Sequence, residues 1–185
     1  MMLMSSKVIT LDLNYSCAQH HHFEQQRHYL SPYPDEEAEH FARRLLAWLS
    51  LYENKPVMPP LHRAGKDPDV FVQDEQQHFT LWATVDLLDE KRFRRACHIS
   101  DQVMLFLSSV EQARLDALPY SVNSSCCLFE PQQLALLCSM LKSHMSLNVW
   151  REDDSMQLTD GEHYLEFNLN SCSKTHPSAD HRLSH

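Results

Sequence analysis

The segment from Asp67 to Leu107 constrains the fold of this chain more than any other, because four predicted elements follow one another in it. A short apolar run at Val70 to Val72 and an alternating run at Phe79 to Val85 predict two strands. Asp89 is then the expected N-terminal cap of a helix, and the apolar run from Gln102 to Leu107 predicts a strand buried on both faces. This order of elements predicts an α/β fold, and we expect any chemistry of the chain to lie in this segment.

Periodic patterns predict further elements on both sides of this segment. In chain order they are a strand at Lys7 to Leu13, a strand at Phe23 to Tyr29 that pairs back on it, a helix at Pro34 to Leu51, a short helix at Val110 to Leu118, a strand at Ser125 to Phe129, a helix at Pro131 to Ser143, and an antiparallel meander of strands at Met145 to Trp150, Met156 to Thr159 and His163 to Leu169. We expect Asp35 to cap the first helix and Glu36 and Glu39 to lie on a solvated face near its positive end.

Glycine is scarce, with only Gly65 and Gly161 in 185 residues. This scarcity excludes the glycine-rich phosphate loops of dinucleotide-binding and P-loop proteins and the nucleophile elbow of many hydrolases. The length is sufficient for one well-buried core. We therefore expect a single domain at residues 1–170 and a disordered tail at 171–185, because the tail has little apolar surface to bury.

The formal net charge of −9 disfavours broad, nonspecific binding to nucleic acid but leaves room for a local basic patch. The six cysteines form no CxxC pair, so we expect reduced thiols, with Cys126 and Cys127 as small buried residues. The sequence contains no signal peptide pattern and no apolar run of about 18 or more residues. We expect a cytoplasmic protein that does not contact a membrane.

Three consecutive histidines, His20, His21 and His22, follow the first predicted strand. They cannot all face one ion from a strand, because neighbouring side chains point to opposite sides. A solvated loop or strand edge is the favoured interpretation. A metal site remains the alternative, which requires a cysteine or histidine partner from elsewhere in the chain.

The chain resembles the YaeQ family in four segments: RRLLAWL (Arg43 to Leu49), DPDVFVQD (Asp67 to Asp74), LWATVDLLDEKRFRRAC (Leu81 to Cys97), and MLKSHMSLNVW with LEFNL (Met140 to Leu169). The order of elements is also that of the restriction-endonuclease-like, or PD-(D/E)xK, core. The resemblance spans residues 7–170. It implies a restriction-endonuclease-like mixed sheet flanked by helices, with a C-terminal antiparallel meander, and no established activity.

The resemblance also assigns candidate site residues. In the family, the strand after the PD pair carries a glutamate, and the signature lysine lies on the following helix. Asp69 matches the first acidic position, and Arg95 stands where the helix lysine is usual. The first helix matches acidic and basic positions of the family at Glu36, Glu39 and Arg44.

Thr84 stands at the position of the glutamate, with Asp86 two residues further on. A threonine supplies a neutral hydroxyl where Mg²⁺-dependent hydrolysis needs a carboxylate. On an extended strand Asp86 lies about 6.5 Å from Thr84, much more than the Mg²⁺–oxygen distance of about 2.1 Å. Arg95 stays protonated and cannot act as a base, although it can clamp a phosphate. We expect these replacements to weaken hydrolysis while phosphate binding stays possible.

Three functions remain open. The favoured one is a catalytically degraded nuclease fold that binds a nucleic acid or a phosphate-bearing partner through four cations of one helix: Lys91, Arg92, Arg94 and Arg95. The second is an active Mg²⁺-dependent nuclease with metal ligands Asp69 and Asp86, joined by Glu36 or Glu39. The third is a structural or protein-interaction module. Mg²⁺ is the one cofactor implied, and only for the active nuclease, while the sequence leaves the oligomeric state open.

Overall fold

The computed structural model describes residues 2–5, 7–119 and 121–170. Over these residues it contains nine strands, four α-helices and two short 3₁₀ turns. The elements are β1 (Ile9–Cys17), β2 (His22–Leu30), α1 (Ala38–Ser50), a 3₁₀ turn at Tyr52–Asn54, β3 (Val70–Gln73), β4 (Phe79–Thr84), α2 (Glu90–Ile99), β5 (Ser100–Ser108), a 3₁₀ turn at Ser109–Glu111, α3 (Gln112–Asp116), β6 (Ser124–Phe129), α4 (Pro131–Met140), β7 (His144–Glu152), β8 (Ser155–Thr159) and β9 (Tyr164–Asn168). The predicted tail at 171–185 lies outside the described residues, so the proposed domain boundary stays a prediction.

The strands form two mixed sheets where the sequence predicted one mixed sheet and a separate meander. The first sheet has the order β2-β1-β7-β8-β9 and the second the order β3-β4-β5-β6. The meander β7-β8-β9 forms as predicted. It is not separate, because β7 pairs in parallel with β1 and so joins the N-terminal hairpin. The second sheet pairs β3 with β4 antiparallel and runs β4, β5 and β6 parallel.

Two apolar cores lie on the two faces of the second sheet. The larger core joins this sheet to the first sheet and includes α1 and α4, whereas the smaller core lies against α2. Neighbouring residues of β4 separate accordingly, with Ala83 in the larger core and Trp82 in the smaller one. In β5, Phe106 lies in the larger core and Leu105 in the smaller one, which confirms that this strand is buried on both faces.

The first helix begins later than predicted. The sequence predicted a helix from Pro34 with Asp35 as its cap, whereas Asp35 adopts a left-handed conformation with φ of 56° and α1 begins at Ala38. Glu36 is buried and does not lie on a solvated face. Its carboxylate accepts a hydrogen bond from the backbone N–H of Tyr33 at 3.0 Å, and this contact closes a turn ahead of the helix.

Other element boundaries shift by smaller amounts. The predicted helix to Ser143 ends at Met140, because the chain extends there and enters β7. The helix predicted at Val110 to Leu118 is a 3₁₀ turn followed by the short α3. Asp89 caps α2 as predicted, and its side chain accepts a hydrogen bond from the backbone N–H of Arg92 at 2.8 Å.

The next two observations, on membrane-spanning helices and on disulfides, hold for residues 2–5, 7–119 and 121–170. No helix in the described ranges has the length and apolar content to cross a bilayer. The described cysteines form no disulfide, and Cys126 and Cys127 are buried. Cys172 lies outside the described residues.

We expect Phe93→Ala to lower the free energy of unfolding by about 3–5 kcal/mol, because the side chain is 1% exposed and fills the smaller core beneath α2. Urea unfolding measures this loss. Lys91→Ala, on the exposed face of the same helix, is the control and should stay within about 0.5 kcal/mol of wild type. Equal stabilities for the two variants would contradict the packing of α2 on the sheet.

Candidate functional site

Asp69 lies at the centre of a buried polar cluster just ahead of β3. Its side chain is 1% exposed. One carboxylate oxygen accepts a hydrogen bond from the Tyr33 hydroxyl at 2.9 Å. The other accepts from the backbone N–H of Val85 at 2.9 Å and lies 3.1 Å from the Thr84 hydroxyl. Protein donors therefore satisfy this carboxylate, as a buried charge requires.

Thr84 and Asp86 form a turn in place of the extended strand predicted through Val85. The backbone N–H of Asp86 donates to the Thr84 hydroxyl at 3.2 Å, and β4 ends at Thr84. The spacing of about 6.5 Å that holds for an extended strand does not apply here. Ligand-type atoms of Asp69, Asp86 and His40 all lie within 4.8 Å of one another. The structure thus brings the two predicted aspartates together.

His40, on the first turn of α1, joins two carboxylates. Its Nδ1 hydrogen bonds with Glu36, and its Nε2 lies 3.1 Å from Asp86 Oδ2. Burial by itself lowers the pKa of His40, but hydrogen bonds to Asp86 and Glu36 outweigh burial and raise the pKa to about 9. His40 is therefore an imidazolium at neutral pH. Burial raises the pKa of Asp86, and the hydrogen bond and charge of His40 more than offset it, so that the pKa is lowered.

A buried ion pair lies beside this histidine. Arg44 Nη1 donates to Glu36 at 2.7 Å, and Arg44 Nη2 donates to the Pro59 carbonyl at 2.6 Å. The guanidinium carbon lies 3.4 Å from the centroid of the Tyr33 ring. Burial raises the pKa of the Tyr33 phenol, and the charge of Asp69 adds to the effect. The phenol therefore stays protonated and donates a hydrogen bond to Asp69.

His62 completes the cluster from the loop ahead of β3. Its ring stacks on Tyr33, with 4.0 Å between centroids and 11° between planes. His62 Nε2 lies 3.2 Å from Asp69 Oδ1, within ion-pair distance. The same nitrogen is buried and makes no hydrogen bond of good geometry. His62 and Asp69 are therefore in close contact without a hydrogen bond between them.

The predicted site residues do not all reach the cluster. Glu36 and Arg44 do, together with the two aspartates. Glu39 instead lies along the helix surface, 3.8 Å from Arg43. Arg95, predicted to replace the signature lysine, donates to the Lys66 carbonyl at 3.4 Å. None of the hydrogen bonds or ion pairs among the described residues joins Arg95 to Asp69 or Asp86.

Three members of the cluster were absent from the sequence prediction. His40 carried a usable signal, because it lies four residues after Glu36 and such residues meet on a helix. Tyr33 and His62 carried none. They reach Asp69 from 36 and 7 positions earlier in the chain, through tertiary packing alone.

The cluster does not fit the Mg²⁺ that an active nuclease would need. Mg²⁺ requires near-octahedral oxygen ligands at about 2.0–2.1 Å. The oxygens of Asp69 already take protein donors, and Thr84 offers a neutral hydroxyl. His40 directs both ring nitrogens at carboxylates, Glu36 and Asp86, so neither nitrogen faces an open coordination position. Its positive charge lies among the carboxylates in the place of a metal ion.

A second feature adjoins the cluster through the loop that carries His62. Gly65 in this loop has φ of 71°, and a Cβ atom there would lie 2.6 Å from Nη1 of Arg92 on α2. The loop is thus docked closely on α2. Together the loop and the helix form a surface that we call the basic face, which consists of Arg63, Lys66, Lys91, Arg92, Arg94 and Arg95.

The basic face carries more cations than neighbouring carboxylates. Three of its arginines pair with acidic residues close in sequence: Arg63 with Asp67, Arg92 with Asp89, and Arg94 with Glu90. Lys66, Lys91 and Arg95 are exposed. Within the described part of the chain, no ion pair joins these three residues to a carboxylate.

A protein-family model described as YaeQ protein matches residues 2–169. The chain belongs to the YaeQ family. It is 26% identical over 146 residues to "Uncharacterized protein YaeQ" of Escherichia coli (strain K12), with 76% of this chain and 81% of the relative covered. The corresponding protein of Salmonella typhi is 25% identical over the same length and coverage.

Two solved YaeQ structures share the fold of this YaeQ-family chain. The crystal structure of YaeQ protein from Xanthomonas axonopodis pv. citri has a TM-score of 0.78 at 18% identity and covers 89% of this chain and 96% of that one. The structure from Pseudomonas syringae has a TM-score of 0.80 at 15% identity and covers 89% and 94%. These likenesses support the mixed α/β architecture.

We expect the contribution of His40 to stability to depend on pH. A histidine whose pKa is raised on folding stabilises the fold fully below its unfolded pKa of 6.5 and loses this contribution as the pH rises through about 9. The free energy of unfolding lost in His40→Gln should be about 3 kcal/mol near pH 6 and fall toward pH 10. Urea unfolding at several pH values measures it.

His98→Gln is the control for this series, because His98 lies exposed on α2. Its difference from wild type should stay below about 0.5 kcal/mol, as for other surface changes. A cost of His40→Gln that did not change with pH would contradict the ion-paired state of His40.

Proposed function

We propose that this YaeQ-family chain binds a nucleic acid, or another phosphate-bearing partner, through its basic face and does not hydrolyse it. The observation that carries the proposal is the set of three exposed cations that form no ion pair with a carboxylate among the described residues: Lys66, Lys91 and Arg95. In a chain of net charge −9, these cations form a local surface of opposite sign. Such a surface attracts phosphates, whose neutralisation by Lys and Arg releases counterions.

The remaining arginines of the basic face are also available to phosphates. Arg92 and Arg94 pair with carboxylates three or four residues away on the exposed surface of α2. Exposed pairs of this kind contribute only about 0.2–1 kcal/mol, so a phosphate can replace the carboxylate at little cost. Arginine also binds phosphate with two parallel hydrogen bonds, which lysine does not.

The absence of hydrolysis follows from the chemistry of the buried cluster. His40 supplies positive charge among Glu36, Asp69 and Asp86 and competes with a metal ion for these carboxylates. Thr84 provides no charge, and Arg95 cannot deprotonate a water molecule. The cluster therefore acts as a structural support beneath the basic face.

We also propose that the second sheet is a restriction-endonuclease-like core. The proposal is supported by the order of its parts, since α1 precedes the Pro68-Asp69 pair at β3, and β4, α2 and β5 follow. Asp69 then stands at the first acidic position of that core, in a structural role.

The binding proposal predicts a salt-dependent affinity that depends on the basic face. Lys66→Glu combined with Arg95→Glu should weaken binding and reduce the slope of log K against log salt by about 1.4 for single strands and about 1.8 for duplex DNA. Fluorescence anisotropy with labelled single-stranded DNA, duplex DNA and RNA at several salt concentrations measures both quantities.

The matched control changes the net charge equally at exposed positions elsewhere, Arg114→Glu combined with Lys142→Glu. It should bind like wild type. Equal weakening in both double variants would indicate a net-charge effect and overturn the assignment to the basic face. No binding by wild type at low salt would instead favour a structural or protein-interaction module.

The absence of hydrolysis is tested separately. Wild type and Asp69→Asn should both leave single-stranded, duplex and structured DNA and RNA intact in Mg²⁺ or Mn²⁺, because the cluster does not fit either ion as a ligand set. Gel electrophoresis of end-labelled substrates detects cleavage. Cleavage by wild type that Asp69→Asn abolishes would establish the alternative, an active nuclease that uses Asp69 and Asp86 with Glu36 or Glu39.

A further inference from the structure

The turn of the N-terminal hairpin carries a second cluster, remote in sequence from the basic face. Cys17 ends β1, His20 lies in the turn, and Glu53 comes from the 3₁₀ turn after α1. Cys17 Sγ is 3.6 Å from His20 Nδ1, and His20 Nδ1 is 2.9 Å from Glu53 Oε1. The three atoms all lie within 4.8 Å of one another. A thiol, an imidazole and a carboxylate thus converge on one point.

This geometry differs from that of a catalytic cysteine. A nucleophile and its orienting carboxylate contact opposite nitrogens of the histidine ring, so that one nitrogen accepts the thiol proton while the other donates. Here Cys17 and Glu53 both approach Nδ1, which has a single position to offer. Cys17 is also 0% exposed, so no substrate reaches the sulfur. Convergence on one point is instead typical of metal ligands.

His22 lies beside this group of three, on the same side of the hairpin. His22 Nδ1 lies 3.8 Å from Glu53 Oε1, and His22 Nε2 lies 3.0 Å from Glu24 Oε2. A histidine that binds a metal commonly donates its other ring N–H to a carboxylate. Glu24 is in position to accept it.

Glu53 is also held in position by a hydrogen bond to one of its two oxygens. The Tyr15 hydroxyl donates to Glu53 Oε2 at 3.0 Å and occupies that oxygen. The other oxygen, Oε1, remains directed at the two histidines.

We propose that Cys17, His20 and Glu53 form a binding site for Zn²⁺ or a transition-metal ion of similar preference, and that His22 moves in as the fourth ligand when the ion binds. A thiolate with two imidazoles suits Zn²⁺ and disfavours Mg²⁺ and Ca²⁺. Tetrahedral ligands at about 2.0–2.3 Å from the ion lie about 3.3–3.8 Å apart. The distances of 3.6 Å and 3.8 Å match this range, and the 2.9 Å contact widens on binding. Binding breaks the Cys17 S–H bond, the proton passes to solvent, and the sulfur bonds to the metal.

A metal at this site would join separate parts of the fold. Three ligands come from the N-terminal hairpin, and the fourth comes from the segment that follows α1. His20 is 66% exposed, which gives an ion a path from solvent. Four protein ligands leave no open position, so the role is structural. The spacing of two residues lets His20 and His22 contribute while His21, between them, stays outside the site.

The test measures metal binding by the full-length chain after removal of any purification tag. Dialysis against Zn²⁺ and elemental analysis by mass spectrometry should give one tightly bound ion per chain. Co²⁺ in place of Zn²⁺ should give the absorption bands of tetrahedral coordination and a thiolate charge-transfer band. His20→Asn and Glu53→Gln should each weaken Zn²⁺ binding at least 10-fold, as loss of one ligand predicts.

His21→Asn is the matched control, because asparagine tolerates the left-handed backbone at this position, where φ is 49°. It should bind Zn²⁺ like wild type. Cys17→Ser should remove the charge-transfer band, and circular dichroism checks that it folds. His20→Asn provides the independent arm, because this exposed side chain is not part of the core.

Two results would overturn the proposal. One is equal Zn²⁺ affinity of His20→Asn and His21→Asn, which would indicate binding by other histidines among the 13 of the chain. The other is a Co²⁺ spectrum without a thiolate band. Neither result bears on nucleic-acid binding, since the site shares no residue with the basic face.

Discussion

The buried ion pair between Arg44 and Glu36 is the interaction on which the arrangement of the cluster depends. Arg44 binds the carboxylate, the Pro59 carbonyl and the face of Tyr33, and thereby fixes two segments against α1, the turn that contains Tyr33 and Glu36 and the loop at Pro59. Charges buried this deeply stabilise a fold only when all their partners are present, and removal of one partner typically costs about 3–5 kcal/mol. The late start of α1 follows from the same pair. Glu36 can reach Arg44 and the backbone of Tyr33 together because it lies in a turn ahead of the helix.

Local patterns in the sequence predicted most elements, and tertiary contacts decided where several of them end. Alternation identified β4, a continuous apolar run identified β5, and the cap at Asp89 placed the start of α2, because these signals act between near neighbours. The pairing of β7 with β1 joins residues more than a hundred positions apart and leaves no local signal. The sequence therefore predicted the meander and missed the sheet to which it belongs.

The difference between local patterns and tertiary contacts also explains which residues of the candidate site the sequence predicted. Asp69 and Asp86 were predicted from a motif, and the structure brings them together. The cations that surround them could not be ranked from the sequence. Arg95 matches a motif position, yet it lies on the basic face, whereas His40 matches none and contacts two carboxylates. The role of His40 can be inferred only when both of its carboxylate partners are known. One of them, Asp86, lies 46 positions further along the sequence.

The presence of His40 changes the role that can be assigned to the buried acidic residues Glu36, Asp69 and Asp86. A cluster of carboxylates repels itself, so it persists only with a positive charge among its members. A nuclease obtains that charge from a metal ion bound reversibly. Here a side chain of α1 supplies it permanently, and its pKa of about 9 keeps it in place across the neutral range. The carboxylates are then free of any requirement for a metal, and Thr84 can stand beside Asp69 as a hydrogen-bonding group. Under the proposed function, the cluster serves to hold the turn before α1 and the end of β4 in place, and the exposed cations of the neighbouring loop and helix form the surface that meets a partner.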